Sequence, residues 1–497
     1  MRHPAALLIA ASSLVLGAPL ARAQTATRLW EENCMKCHGE KGEGGGAGTR
    51  TLLIPEKRGM DTDRAFFDII KNGSPENGME AYGGAMTDPQ IWSLVVHIRE
   101  LQARDQRAKV GKPRPEAGVY KTQRASYKVE QVVSSGVEVP WAVDFLPDGT
   151  MLVTERNGKL RTFKDGVLSE PLKGTPEVRD QGQGGLMDVT VHYDYAKNGW
   201  VYLAFSEPLG AGGRNGMTQV VRGRIKDSVW TEQETIFRAR EQDYSGGGVH
   251  FGCQIVFDRK GHVFFGIGER GLAERSQDLK RPNGKVYRLH EDGTVPKDNP
   301  FVGQEGVYEA VWSYGHRNPQ GLVFDLNGNL WDTEHGPRGG DELNIIEKGR
   351  NYGWPVVSYG INYSDQPFKS PFPGEEHAAL NIKMPVDRWL PSIGACGMDV
   401  CSGKAFKQWE GDLLAGGLSG NNVDRIRVAK DGDAWKVVER EEIVFGMGRV
   451  RGVTCGPDGF VYVVLNGPDK IVRLVPADEG KSADAGTEES STKSRVR

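Results

Sequence analysis

The chain has 497 residues, with Lys+Arg 63 against Asp+Glu 66 and a formal net charge of -3. That length is more than one ordinary core organises and points to roughly two or three domains. The even balance of charge gives no electrostatic reason to expect nucleic acid or an anionic membrane as a partner. At the N-terminus, Arg2 precedes an apolar run from Ala5 to Leu20 and then Ala21-Arg22-Ala23. A short hydrophobic stretch closed by an A-x-A site predicts a secretory signal over residues 1–23, cut before Gln24, and a periplasmic protein. The residue directly after that site is Gln24 and not cysteine, and no second apolar run of spanning length appears, so neither a lipid anchor nor stable membrane insertion is expected.

Cys34-Met35-Lys36-Cys37-His38 comes next. In a C-x-x-C-H run both thiols add covalently to haem and the histidine ligates iron, which predicts haem c on Cys34 and Cys37 with His38 as axial ligand. A zinc half-site or a disulfide loop are the alternatives. Thr25 to Asn33 reads as a helix leading into this motif. Thr87-Asp88-Pro89-Gln90 reads as a capping box, and Ile91, Leu94, Val95, Ile98 and Leu101 then recur at helical spacing. Behind the haem motif, this looks like the terminal helix of a small class I cytochrome c, with residues 24–104 as the all-α haem domain. The sixth iron ligand should be a thioether. Gly78-Met79-Glu80-Ala81-Tyr82-Gly83-Gly84 resembles the ligand loop of such cytochromes, with Glu80 where proline is usual, so Met79 is preferred over Met86 and then Met60. His97 falls in the terminal helix and reads as packing.

Residues 105–126, with Lys112-Pro113-Arg114-Pro115, read as a linker, and the Ser/Glu/Lys-rich residues 477–497 as a disordered tail. Between them the pattern becomes β-branched and aromatic runs separated by Gly, Asp, Asn and Pro turns. One hairpin unit, a strand followed by a turn closing on glycine and a second strand, recurs. It occurs at Val143 to Gly149, Ile255 to Gly261, Leu322 to Gly328 and Val453 to Gly459. Repetition in a long all-β segment predicts propeller blades over residues 127–476, about six at forty to sixty residues each. A large β-helix is the less regular alternative. In an oxidising compartment Cys253, Cys396, Cys401 and Cys455 can pair in three ways. The short loop between them favours Cys396 with Cys401, leaving Cys253 and Cys455 to pair or stay reduced.

Four polar clusters stand out. Arg317 and Asn318 lie in Gly315-His316-Arg317-Asn318-Pro319-Gln320-Gly321. Arg449 and Arg451 flank Val450 and share a face if extended. Glu334 to Glu342 forms a Gly-rich acidic turn able to present carbonyls and carboxylates to calcium. His250 sits in Gly248-Val249-His250-Phe251-Gly252.

Together with Gln183-Gly184-Gly185-Leu186, Gln277-Asp278-Leu279, Pro296 to Phe301 and Asn351-Tyr352-Gly353-Trp354-Pro355, these segments occur in an order that resembles the soluble sugar dehydrogenases dependent on pyrroloquinoline quinone (PQQ), a six-bladed family. The resemblance covers about residues 127–476 and implies PQQ and calcium as cofactors beside haem c. It implies Arg449 and Arg451 on the PQQ carboxylates, Arg317 and Asn318 near the quinone, and Gln183 touching substrate and cofactor. Gly336 and Pro337 would present carbonyls to a catalytic calcium, and His250 would be the general base. Asp341 and Glu342 are candidates for a structural calcium. Two departures stand out: Cys253-Gln254 replaces a Gly-Arg pair, and Ser419 stands where relatives carry a cofactor-supporting lysine.

The expectation is an exported quinohaemoprotein. It would oxidise an aldose, or a related hydroxy-aldehyde, to its lactone by hydride transfer to PQQ, and pass electrons to the fused haem and a respiratory acceptor. The alternative is a PQQ-free propeller that binds carbohydrate or protein beside an electron-transfer cytochrome.

Overall fold

The computed structural model describes residues 24–45, 51–54, 60–110 and 118–477. The expected signal at 1–23, most of the Pro-rich stretch (111–117) and the tail beyond Ala477 lie outside the described residues. Helix α1 (Ala26–Asn33) starts where the Thr25 hydroxyl accepts from the Arg28 backbone N–H at 3.1 Å. Helix α2 (Met35–His38) carries the haem motif, followed by α3 (Met60–Asn72) and α4 (Asp88–Val110). The Gln90 side chain accepts from the Thr87 backbone N–H at 2.8 Å, the reciprocal half of a capping box. Ile91, Leu94, Val95, Ile98 and Leu101 are buried with Leu29, Trp30 and Phe67 in one cluster. Helix α4 continues to Val110, so residues 105–110 are helix where a linker was expected. Arg107, Ala108 and Lys109 are good helix formers, and Lys109 pairs with Asp105 one turn back at 2.7 Å.

Six antiparallel sheets follow as the blades of a propeller. The ring closes where Ser126–Val133 pairs with the last strand, Lys470–Pro476, in the sheet that also holds Arg449–Cys455 and Val461–Asn466. Joining the two ends of the domain in one sheet removes the free edge at the seam. The recurrent hairpins are the first two strands of the first, third, fourth and sixth blades. Each turns on a glycine at positive φ: Gly149 (81°), Gly261 (95°), Gly328 (82°) and Gly459 (85°). The other two blades enlarge this turn. One uses a short helix, Tyr195–Asn198, and the other the 3-10 turn Lys407–Trp409, so their hairpins escape the spacing rule.

Adjacent blades are latched by buried acids. Asp144 accepts from Val191 N at 2.6 Å, Asp188 from Ile255 N at 2.7 Å, and Asp399 from Cys455 N at 2.7 Å. Burial lifts their carboxyls to about 7, 8 and 6. Gln254 extends the same scheme: its amide oxygen accepts from Leu322 N at 3.1 Å and Met398 N at 3.2 Å, and its amide N–H donates to Met398 O at 2.9 Å.

The haem domain packs directly on an insertion in the fourth blade. Trp92 Nε1 donates to the Tyr359 carbonyl at 3.0 Å, and the Trp92 ring meets Tyr359 and Phe372 edge-on. Tyr359 and Ile361 belong to the same buried cluster as the haem-domain core. Asp63 of α3 sits between Arg99 of α4 and Arg388 of the propeller, all three nearly inaccessible to solvent. Arg338 completes the contact with Glu100 at 2.7 Å and Asp365 at 2.7 Å. Among the described residues, no helix is long and apolar enough to cross a membrane.

The preferred Cys396–Cys401 bridge is overturned. Cys396 is the second residue of the extended strand Ala395–Val400 and Cys401 directly follows it, so five residues of rise separate them by about 16 Å, beyond the reach of a disulfide. Cys396 faces Gln320 and Arg451, whereas Cys401 lies in the cluster that Cys455 packs against. Peptide mapping without reduction should therefore recover Cys396 unlinked to Cys401; a 396–401 crosslinked peptide would contradict the strand geometry.

Candidate functional site

A cavity of about 370 Å³ opens on the propeller axis, and every blade contributes to its wall. Trp141, Gln183, Phe251, Gly336, Leu418 and Arg449 mark the contributions in chain order. Arg449 and Arg451 both line it while Val450 between them is fully buried in the core, the alternation a strand imposes. The Arg451 guanidinium lies 4.2 Å from the Trp141 ring, donates to the Asn466 side chain at 3.3 Å and approaches Cys396 Sγ at 4.0 Å. Burial draws its pKa down. Arg317 donates from Nη1 to the His335 carbonyl at 3.1 Å and faces the Trp354 ring at 5.3 Å. Among the described residues none of these three arginines is paired with a carboxylate side chain. Arg317 Nε, Asn318 Nδ2 and His335 Nε2 are buried without a protein partner. His335 is driven to about 3 by burial and then by the charges of Arg317, His250 and Arg451, so it is neutral.

His250 stands beside this cavity at a φ of 54°. Its backbone N–H donates to Gln183 Oε1 at 2.8 Å, and its Nδ1 is hydrogen-bonded to Glu269 Oε1. Arg270 supports the left-handed turn from below, donating to the carbonyls of Gly247 at 2.6 Å and Gly216 at 3.2 Å and also to Val249. The Glu269 backbone N–H donates to the Arg317 carbonyl at 2.8 Å, which ties the imidazole's partner to the neighbouring guanidinium segment. A Cβ on Gly268 would lie 2.3 Å from the His250 carbonyl and 2.5 Å from Asn318 Oδ1, so only glycine admits this approach. Burial lowers the His250 pKa, Glu269 raises it and the Arg317 charge lowers it. The ring is thus held neutral near pH 7, with Nδ1 occupied by Glu269 and Nε2 free to accept.

The Gly336–Pro337 turn forms the adjacent wall. The Gly336 backbone N–H donates to Asp341 Oδ1 at 3.0 Å, and a Cβ there would meet the Gly340 carbonyl at 2.2 Å. Asp341 and Glu342, consecutive on the strand Asp341–Ile345, face opposite ways. Asp341 is saturated by Gly336 N, Ser392 Oγ and Ala395 N. Glu342 instead joins Asp332 and Glu334, and burial raises the Glu342 and Asp332 carboxyls strongly. Both Asp332 oxygens lack a hydrogen-bond partner, and His316, Asp332 and Glu334 offer atoms within 4.8 Å of one another.

In the haem domain, Cys37 N donates to the Cys34 carbonyl at 3.1 Å, which places both thiols on one turn. Burial and then the Cys37 charge push the Cys34 thiol up to about 12. His38 Nδ1 is buried without a partner. Met86 is buried in the core, whereas Met79 is half-buried and borders the same cluster with Cys34 and Tyr82. Met60 begins α3. His97 is buried with its ring 5.3 Å from that of Trp30. Of the two departures, Gln254 bonds Leu322 and Met398 of the neighbouring blades and does not turn toward His250. Ser419 does line the cavity. Sequence reasoning missed Glu269, His335 and Trp141. Glu269 lies 19 residues from His250, and no local spacing rule joins them.

The donor set fits a polyanionic quinone: three guanidiniums without acid partners, the orphan amide N–H of Asn318, and a neutral imidazole at His250.

A family model described as Glucose / Sorbosone dehydrogenase matches residues 137–473. One described as Cytochrome C oxidase, cbb3-type, subunit III matches residues 21–98. The chain is 42% identical over 342 residues to the aldose sugar dehydrogenase YliI of Escherichia coli (strain K12), spanning 68% of this chain and 89% of that one. The apo-form crystal structure of the soluble aldose sugar dehydrogenase from Escherichia coli superposes with a TM-score of 0.64 at 39% identity, covering 71% of this chain and 100% of that chain. The PQQ-bound form of aldose sugar dehydrogenase from Streptomyces coelicolor gives 0.55 at 28%, covering 73% and 99%.

By NMR, the His250 ring should titrate below the ordinary 6.5. Glu269→Gln should move it lower still, because the carboxylate is what holds it up. An upward shift in that variant would contradict the contact.

Proposed function

The chain belongs to the glucose/sorbosone dehydrogenase family, joined here to a cytochrome c domain, and from that premise we propose an exported, periplasmic quinohaemoprotein. It oxidises the anomeric carbon of an aldose, or a related hydroxy-aldehyde, to a lactone. Electrons then pass through its own haem to a respiratory acceptor. The observation that carries this reading is that Arg449 and Arg451 line the axial cavity without acid partners, while the His250–Glu269 pair and Arg317 stand directly behind its wall, bonded to the lining residues Gln183 and His335.

PQQ, when bound, supplies an ortho-quinone that takes hydride from the sugar carbon. Arg449 and Arg451 would hold its carboxylates in charge-assisted pairs, and Arg317 and Asn318 would direct N–H groups at the quinone oxygens. His250 removes the anomeric hydroxyl proton at Nε2. Glu269 fixes the tautomer and stabilises the imidazolium that forms, with Gln183 setting the backbone position of the base. Positioned proton abstraction of this kind contributes about 10²–10⁴-fold. The Gly336 and Pro337 carbonyls would hold a calcium that polarises the quinone. A structural calcium would engage Asp332, whose two orphan oxygens suit a hard cation, beside Glu334 and Glu342; Asp341 acts as a brace for the turn instead. Haem c would be held by Cys34, Cys37, His38 and Met79, and fusion makes the onward electron step intramolecular.

Reconstituted with PQQ and calcium, the full-length haem protein should show haem reduction on addition of an aldose. His250→Ala should lower that rate by about 10²-fold or more while PQQ still binds; sugar oxidation at the parental rate in this variant would remove His250 from its role. The acid limb of kcat/KM should lie below pH 6.5, because burial lowers the pKa of the base and the neutral form is the active one. Met79→Ala should abolish the methionine-ligated haem spectrum, and an unchanged spectrum would discard that ligand.

A further inference from the structure

A second, larger cavity of about 880 Å³ runs between α4 and the propeller rim. Ala103, Arg104 and Arg107 of α4 form one wall, and Ser392, Asn421 and Glu442 mark the other. It is continuous with the axial cavity, because Arg338, Pro391, Ser392 and Ser419 line both. We propose that this groove binds the outer units of an oligosaccharide whose reducing end is oxidised in the axial cavity, an inference that rests on the dehydrogenase reading above.

Three features support that ligand class. Oxidation at an anomeric carbon admits only the reducing-end unit of a chain, so the remaining units must leave through an opening in the wall. The groove supplies such an exit. The junction is held open and fixed: Arg338 is clamped by Glu100 and Asp365 at 2.7 Å each, and Ser419, small and exposed, fills little of the passage. The lining arginines and carboxylates are equal in number, four of each, beside amides and hydroxyls. Such a surface favours neither an anion nor a cation and offers both donors and acceptors, which suits a neutral polyhydroxyl chain. The helical wall comes from the haem domain, so the subsite belongs to the fused chain and not to the propeller alone.

The test uses the full-length protein loaded with haem, PQQ and calcium, with glucose, maltotriose and cellotriose as probes. Ala103→Trp and Asn421→Trp both obstruct the groove and lie outside the axial cavity. In the parent, at least one trisaccharide should have a lower KM than glucose. Each variant should lower kcat/KM for that trisaccharide about tenfold, equivalent to one or two lost hydrogen bonds, with glucose within about twofold. KM independent of chain length in both series, or equal losses on glucose and trisaccharide, overturns the proposal. Calorimetric titration with the same trisaccharides reads the groove without turnover. Trisaccharide binding that Ala103→Trp removes, in a protein that does not oxidise glucose, would keep the groove and reject the dehydrogenase reading. Glucose oxidation with no trisaccharide binding would do the reverse.

Discussion

Uncompensated positive charge is the constraint on which the centre of this molecule turns. A buried guanidinium without an anion is costly, and natural interiors seldom retain one without a role. Arg451 is held over Trp141 with only an amide and a thiol for company, and Arg317 leaves Nε without a partner. Burial keeps His335 and His250 uncharged, and the guanidinium field adds to it, since each added proton would face that charge. One arrangement therefore creates demand for a polyanion and a neutral base beside it. Around this centre, Asp144, Asp188, Asp399 and Gln254 fasten adjacent blades to one another.

The haem domain is not a loosely tethered passenger. Trp92 and Phe67 share a hydrophobic cluster with Tyr359 and Ile361, and Asp63 is shared between arginines of the two domains. Breaking such a buried ionic contact by removing one partner costs about 3–5 kcal/mol, because the others are left unpaired. Arg338, which meets Glu100 of α4, directly follows Pro337 in the chain. The contact that seats the haem domain and the turn that lines the axial cavity are thus consecutive residues.

Much of this was legible from residue patterns, and the illegible parts share a physical cause. Four of the six inner hairpins announce themselves because their turns need glycine at positive φ; the other two insert a helical turn and lose the signature. The amphipathic stripe on α4 identified its buried face, yet its polar continuation through residues 105–110 read as linker because solvated helix and Lys/Arg-rich coil have similar composition. Arg449 and Arg451 were readable from strand alternation. Glu269 was not, since its pairing with His250 joins two loops, one before Ile255–Phe257 and one after His262–Ile267, and the Cys396–Cys401 expectation failed because loop length ignores that the intervening residues are extended. The role of Gln254 was likewise invisible, because nothing in a dipeptide says whether a side chain turns toward the cavity or toward the next blade.

The insertion between Asp341–Ile345 and Asp387–Trp389 connects these themes. It carries Tyr359, Ile361 and Phe372 to the haem domain, and it also presses on the cavity turn. A Cβ on Gly340 would lie 2.6 Å from the Tyr359 backbone, and one on Gly339 would lie 2.7 Å from Leu390 and 3.6 Å from Val96 of α4. Both hold positive φ, Gly339 at 84° and Gly340 at 70°, so the turn reaches its shape only with residues that also let the insertion and α4 close over it. The same close packing that brings the cytochrome near the cavity therefore sets the path of the Gly336–Pro337 carbonyls. Acceptor placement and site geometry follow from one packing solution, and a change at this seam acts on both.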